Sequence, residues 1–329
     1  MATTGISNRR PVSEVDREYT GHRKAQSDEA LSWQAIRRSW QAYALLSPIL
    51  ALLVVFVYYP PILGLLRSFC RWRSGFPPVF IGLENFRTFF TYPETPRALI
   101  NTVRLLSFAL FVGVALPFAM AEFIFSVRSD TAKEVYRLLL VIPMLVPGIV
   151  TTLLWQKMYD PRLGPINAIL AAAGLGALQR NWLGDPATAL YAIMFVGFPW
   201  VSGVGTLIYL GGLGQISESV YDACALDGCV GMRRALLIDL PLVTSQVRLL
   251  TILAVINGIT SFQGILVLTD GGPGFATTVP GMIMYRTAFH SQQFGYASAI
   301  GLLMFVAAMG ATLVISRTLR PLAEEEGHS

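Results

Sequence analysis

Charge is scarce in this chain. Asp, Glu, Lys and Arg together make up 14% of its 329 residues, against 53% for apolar and aromatic types. So little charge with so much apolar surface does not suit a water-soluble globule and belongs in lipid. The longest apolar stretches hold no internal carboxylate; Glu122 lies near one end of such a stretch and Asp270 at the end of another. An ion-coupled carrier normally needs ionisable groups inside its bundle, which argues against that class. Histidine is rarer still: His22, His290 and His328 fall in the two tails and one loop, so no constellation for a polytopic membrane enzyme forms. Cys70, Cys224 and Cys229 keep no metal or disulfide spacing. A Gly-x-x-x-x-Gly-Lys-Ser/Thr phosphate loop is missing too, so no nucleotide or other cofactor is expected on this chain. The net charge of +5 comes from basic residues dispersed among apolar runs, which leaves no basic face for nucleic acid.

What the sequence does contain is apolar length. Read from charge to charge, six stretches follow one another: Ser39 to Leu66, Leu105 to Ala121, Leu138 to Gln156, Pro186 to Ser217, Leu249 to Thr269, and Thr287 to Ser316. A helical span needs about 20 residues, so each can hold one, and the class is an all-α polytopic membrane protein with six transmembrane helices. A seventh candidate, Leu163 to Gln179, is short and broken by Gly164, Pro165, Gly174 and Gly176. It is expected outside the membrane or on its surface. Residues 1–40 are polar, carry seven Lys or Arg, and lack the order of a cleavable signal. They are expected to persist as a partly disordered tail, with a short interfacial helix around Trp33, Ile36 and Trp40. Residues 41–320 form the membrane domain and 321–329 a short C-terminal tail. Fourteen Lys or Arg fall on the N-terminal side of the membrane against nine on the other, which places both termini in the cytoplasm.

One polar segment in the C-terminal half stands apart. Residues 217–241, SESVYDACALDGCVGMRRALLIDLP, carry Glu218, Asp222, Asp227, Arg233, Arg234 and Asp239 between apolar runs of membrane length. Val220, Ala223, Cys224 and Asp227 recur at helical spacing, Gly228 allows a turn without a Cβ penalty, and Pro241 is expected to stop a second short helix. The pattern predicts helix, turn, helix outside the bilayer. Its spacing resembles the EAA loop of binding-protein-dependent ABC importer permeases: Asp222, Ala223 and Cys224 stand for Glu-Ala-Ala, followed by Gly228, Ile238, Leu240 and Pro241 at the family's intervals. Two identities differ, since Asp222 replaces the usual Glu and Cys224 the usual second Ala. Further along, IGLENF at 81–86, YDPRLGPIN at 159–167, NWLGDP at 181–186, LTDGGPG at 268–274, YRTAF at 285–289 and FGYASAIG at 294–301 are similar to signatures of the carbohydrate branch. That branch includes the maltose, glycerol-3-phosphate and alginate transporters.

The resemblance implies the type I importer permease fold with a cytoplasmic coupling-helix loop. Asp222, Ala223, Cys224, Asp227, Gly228, Ile238, Leu240 and Pro241 would meet a separate ATPase subunit, with Gly228 the least tolerant of change. It also implies a second permease subunit forming a heterodimer, two ATPase subunits that use ATP and Mg, and an extracytoplasmic sugar-binding protein meeting the loops around Glu84 and Gly272. Comparison with the sugar-contacting segments of the maltose permease points to Met144, Gly148, Gly197, Trp200, Asn257 and Ser261 as the substrate path. Pro143, Pro147 and Pro199 interrupt helices at membrane depth, which is tolerated only inside protein or along a wet cavity. Asn257 and Ser261, four apart, are expected on one helix face offering hydrogen bonds, with Trp200 a flat wall for a sugar ring. Asn and Ser in a span also serve as helix-packing glue, and Trp as an interfacial anchor. The implied function is import of a sugar, a di- or oligosaccharide rather than a monosaccharide, by alternating access at the bacterial inner membrane. The alternatives are glycerol-3-phosphate or a related polyol, which would want a midplane cation not visible in the six stretches, and an ion-coupled secondary carrier.

Overall fold

The computed structural model describes residues 40–319, so the expected interfacial turn at Trp33 and Ile36 and both terminal tails lie outside the described residues. The chain divides into two units, 1–63 and 64–329. The first contributes most of helix α1, Tyr43–Arg67, a membrane-length apolar helix whose window of greatest hydropathy has none of its residues buried. Phe56 and Tyr58 are exposed at 71% and 60%, as suits a helix turned towards lipid.

In the second unit a two-stranded ribbon, β1 (Cys70–Arg71) against β2 (Val79–Phe80), precedes α2 (Glu84–Thr91). Helix α3, Thr95–Ser126, runs 32 residues. It begins ten residues before the apolar stretch predicted for it, because reading from charge to charge halts at Arg104, which the helix carries on an exposed side. Its turn widens at Phe111–Ala115 ahead of Pro117, where the ring removes an N–H from the ladder. Then come α4 (Asp130–Leu145), capped by the Ser129 hydroxyl accepting from Ala132 N–H at 3.3 Å, and α5 (Gly148–Met158), bent 83° from α4. Pro143 and Pro147 sit at that break, as the sequence predicts.

Short α6 (Pro165–Ala172) corresponds to the seventh candidate and is not among the membrane-length helices of the described residues. The fourth stretch is two helices, α7 (Ala189–Phe195) and α8 (Gly203–Leu213), parted by residues 196–202. Next are α9 (Glu218–Leu226) and α10 (Met232–Leu242), then α11 (Thr244–Thr260), turned 78° from α10 at Val243. Helices α12 (Gln263–Leu268), α13 (Pro280–Phe289) and α14 (Phe294–Thr318) complete the unit. Among the described residues three helices are long and apolar enough to cross a membrane singly, or five if each bent pair counts once. The remaining predicted span, Pro186 to Ser217, is the one divided by the 196–202 break.

Lipid tails are as apolar as leucine, so helices here associate through close packing rather than escape from water. Small residues set that packing. A Cβ on Gly113 would lie 3.2 Å from Ala254 Cβ, and one on Gly258 would press into Leu106, which keeps α3 and α11 in close register. Ala121 and Ile124 of α3, Leu140 of α4, Tyr209 and Leu213 of α8, and Val243 at the α10–α11 bend form one buried cluster. A second, with Phe89, Ala98, Ile283, Tyr296, Ile300 and Met304, joins α2, α3, α13 and α14.

The signature segments turn out to be hydrogen-bond frameworks. In YDPRLGPIN the Asp160 carboxylate accepts from Leu163 N–H at 2.8 Å and Arg162 N–H at 2.9 Å, and these bonds hold its pKa below the ordinary carboxylate value. Asn167 bridges to NWLGDP, accepting from the Trp182 indole at 2.8 Å and donating to Arg180 C=O at 3.0 Å. In LTDGGPG the Thr277 and Thr278 hydroxyls donate to Gly272 and Gly271 carbonyls, while buried Asn101 donates to Ala276 and Thr278 carbonyls. Arg286, from YRTAF, ion-pairs with Asp270 at 3.4 Å and also donates to its carbonyl.

Candidate functional site

The 217–241 segment forms the predicted helix, turn and helix. Helix α9 ends in a Schellman turn: Cys229 N–H donates to Cys224 C=O at 2.8 Å and Gly228 N–H to Ala225 C=O at 3.2 Å. Gly228 occupies the left-handed position at φ +67°, where a side chain is disfavoured. The second helix does not stop at Pro241. It continues to Leu242, with a widened turn over Ala235–Asp239 just ahead of the proline. The helix turns at Val243 instead.

Asp222, Ala223, Asp227, Gly228 and Pro241 are exposed, Ile238 and Leu240 half-buried, and Cys224 buried. Burial pushes the Cys224 thiol pKa up, so this cysteine acts as a small apolar seat. Around the turn, Leu226, Val230 and Met232 stand 89%, 65% and 74% exposed.

Beneath the loop lies a charged group that the spacing argument did not assemble. Arg234 Nε donates to Asp239 Oδ2 at 2.8 Å, and Arg234 Nη2 to Glu122 Oε2 of α3 at 3.2 Å. The guanidinium also lies over the rings of Tyr221 and Phe125, 5.2 and 5.7 Å from their centroids. Asp239 is fully buried. Burial pushes the Tyr221 phenol well above its ordinary range, so it stays protonated. The signal in the sequence was a lone Glu at the edge of one apolar run and a lone Asp among the apolar residues that close the 217–241 segment, each of which demands a partner when buried. The 112 residues between Glu122 and Arg234 hid the pairing.

The substrate-path residues fall at three helix breaks. Trp200, at φ +54°, closes the 196–202 turn with its N–H donating to Gly197 C=O at 2.8 Å; Gly197 itself sits at φ +82°. The indole packs among Phe108, Phe195 and Phe198 at 5.3, 5.4 and 5.0 Å, and its Nε1 donates to Met194 C=O at 3.1 Å. Ser261, with φ −74° and the helical four-residue bond back to Asn257, keeps the predicted shared face. It lies one residue past α11 in extended conformation, its N–H donating to Asn257 C=O at 2.8 Å; both residues are exposed. Leu105 of α3, Ile193 of α7 and Phe262 pack into one cluster, which brings the 196–202 and 261–262 breaks to the same level of α3. Met144 approaches Gly203, where a Cβ would lie 2.6 Å from its sulfur, and Gly148 opens α5 with free space around it. Trp200 and the chain neighbours of Asn257 and Ser261 therefore meet Leu105 to Phe108 of α3, while Met144 and Gly148 line the α4–α5 bend, from which Met144 reaches the end of the 196–202 break.

Over 281 residues, 84% of this chain and 93% of its relative, the sequence is 31% identical to the trehalose/maltose transport system permease protein MalF of Thermococcus litoralis. The chain belongs to the carbohydrate-type ABC importer permeases. The permease is also 29% identical over 291 residues to the diacetylchitobiose uptake system permease protein NgcF of Streptomyces coelicolor, covering 85% of this chain and 82% of that one. Its fold matches a chain of the bacterial alginate ABC transporter crystallised in complex with alginate pentasaccharide-bound periplasmic protein, at a TM-score of 0.76 and 23% identity over 88% of this permease and 97% of that chain. No protein-family model matches the sequence.

Proposed function

We propose that this permease is the membrane subunit of an ATP-driven, binding-protein-dependent importer that carries a di- or oligosaccharide into the cell by alternating access, with both termini cytoplasmic. One observation carries the reading: the 217–241 loop leaves Leu226, Val230 and Met232 uncovered while Arg234 and Asp239 are tied inward. Exposed apolar side chains on this turn, standing beside the exposed charges of Asp222 and Asp227, suit a surface that another protein covers. That protein is a separate ATPase subunit holding the ATP and Mg, met by Asp222, Ala223, Cys224, Asp227, Gly228, Ile238, Leu240 and Pro241. A second permease, a second ATPase and an extracytoplasmic sugar-binding protein at the loops around Glu84 and Gly272 complete the complex. The sugars named for its relatives, trehalose or maltose and diacetylchitobiose, favour a cargo larger than one ring.

Gly197, Trp200, Asn257 and Ser261 form the substrate contact in this reading, with Met144 and Gly148 at its edge. Trp200→Ala is expected to raise the KM for uptake about 2- to 10-fold, the loss of one aromatic contact, with the complex still assembled. Unchanged uptake kinetics would remove Trp200 from the path. A second reading, an anionic cargo such as glycerol-3-phosphate, draws on Arg104. It lies exposed on α3 one turn from Phe108, which packs against Trp200, although the apolar stretches as read from sequence excluded it.

The test of the importer reading is purification from the native membrane in a mild detergent. An ATPase and a second permease that co-purify, and that are lost on Leu226→Asp, support it. Isolation as a single polypeptide under conditions that preserve membrane complexes would overturn it.

A further inference from the structure

We infer that Glu122 is a positioning residue for energy coupling: through Arg234 it fastens the 217–241 loop to the cytoplasmic end of α3, so that movement of the loop reaches that helix directly. The inference rests on the importer reading above, but the residues that carry it lie outside the exposed face of the loop.

Arg234 and Asp239 are both on α10 and hold each other at 2.8 Å, while Tyr221 of α9 lies under the same guanidinium, so these three join the two halves of the loop. Glu122 belongs to a different element, 112 residues away, and its 3.2 Å bond is a charged tether from the loop to α3. Its side chain is 13% exposed and that of Arg234 22%, so water screens the bond far less than it would a surface pair. Phe125, one turn along α3, adds a ring on the guanidinium and a 5.7 Å contact with Tyr221. The same helix carries Phe108 against Trp200 and Leu105 in the cluster at the α11–α12 break. Helix α3 thus connects the tether at one end to the path residues further along. Two carboxylates on one guanidinium leave Glu122 Oε1 and Asp239 Oδ1 without partners. That is more negative charge than one Arg needs, and the excess is accounted for if Glu122 serves the link to α3 while Asp239 serves the loop.

Removing Glu122 leaves Arg234 paired with Asp239, so the loop keeps its own charge balance. Glu122→Met and Glu122→Gln, assembled with the ATPase and binding protein, are compared with wild type for sugar moved per ATP and for stimulation of ATPase by the loaded binding protein. Loss of a charge-assisted bond is expected to lower both about tenfold in Glu122→Met, with the complex still assembled, and Glu122→Gln, which can still accept from Arg234, is expected to recover most of the loss. Wild-type coupling in an assembled Glu122→Met complex would overturn the inference. So would failure of Glu122→Met to assemble while Glu122→Gln couples normally, since that describes a structural residue only. A wild-type complex with no stimulated ATPase would instead refute the importer reading itself.

Discussion

Gly228→Asp is expected to abolish binding-protein-stimulated uptake while leaving the permease folded in the membrane. The backbone cost is modest. Gly228 sits at φ +67°, where an L-residue costs roughly 1–2 kcal/mol, and Asp tolerates that region better than most. Nothing within the chain lies within 4 Å of an added Cβ, so no internal clash unfolds the loop. The new carboxylate would instead stand on the exposed turn that also carries Leu226, Val230 and Met232, which the ATPase is proposed to cover, and burying it there unpaired costs several kcal/mol. Gly228→Ala separates the two effects, since it carries the backbone strain without the charge and should retain partial uptake. The check is uptake into vesicles alongside co-purification of the ATPase. A Gly228→Asp permease that still couples hydrolysis to uptake would remove this loop from the coupling role.

The second large effect is on folding, where α14 meets the β1 ribbon. A Cβ on Gly295 would fall on the Cys70 carbonyl oxygen and lie 2.9 Å from Trp72 N. Gly295 N–H donates to Trp72 C=O at 3.1 Å, so the first turn of α14 is laid against the β1 ribbon backbone. Backbone atoms cannot swing aside as a flexible side chain can. Gly295→Val is therefore expected to exceed the usual cost of overpacking, about 1–3 kcal/mol, and to leave little folded permease in detergent extracts. Gly295→Ala should lower the thermal midpoint measurably. A Gly295→Val midpoint equal to wild type would show that the ribbon is free to move off α14.

The contrast between these two glycines shows where the sequence was legible. Gly228 stood in a spaced pattern with Asp222, Ile238 and Pro241, and its role as the turn residue followed from that spacing. Gly295 was visible only as a letter in FGYASAIG, and its partner strand lies more than 200 residues earlier. Apolar length likewise placed α1, and the two prolines placed the break at Pro143 and Pro147. Apolar length misjudged the start of α3, because Arg104 on the side of a helix reads in one dimension as the end of an apolar run. The stop at Pro241 was legible to within one residue, since the helix ends at Leu242, whereas the widened turn at Ala235–Asp239 ahead of it was not. The shared face of Asn257 and Ser261 was legible from their four-residue spacing, although α11 ends at Thr260 just before the serine. The tether between Glu122 and Arg234 was not legible, since nothing short of the fold brings those positions together.

The most direct test of the central claim is ATPase activity of the complex purified from its native membrane, measured with its binding protein and a panel of mono-, di- and oligosaccharides plus glycerol-3-phosphate. Stimulation by one di- or oligosaccharide, dependent on the binding protein, is the expected result, and it would fix the cargo at the same time. Stimulation by glycerol-3-phosphate alone would contradict the sugar assignment, and hydrolysis indifferent to every cargo would contradict an importer coupled through residues 217–241.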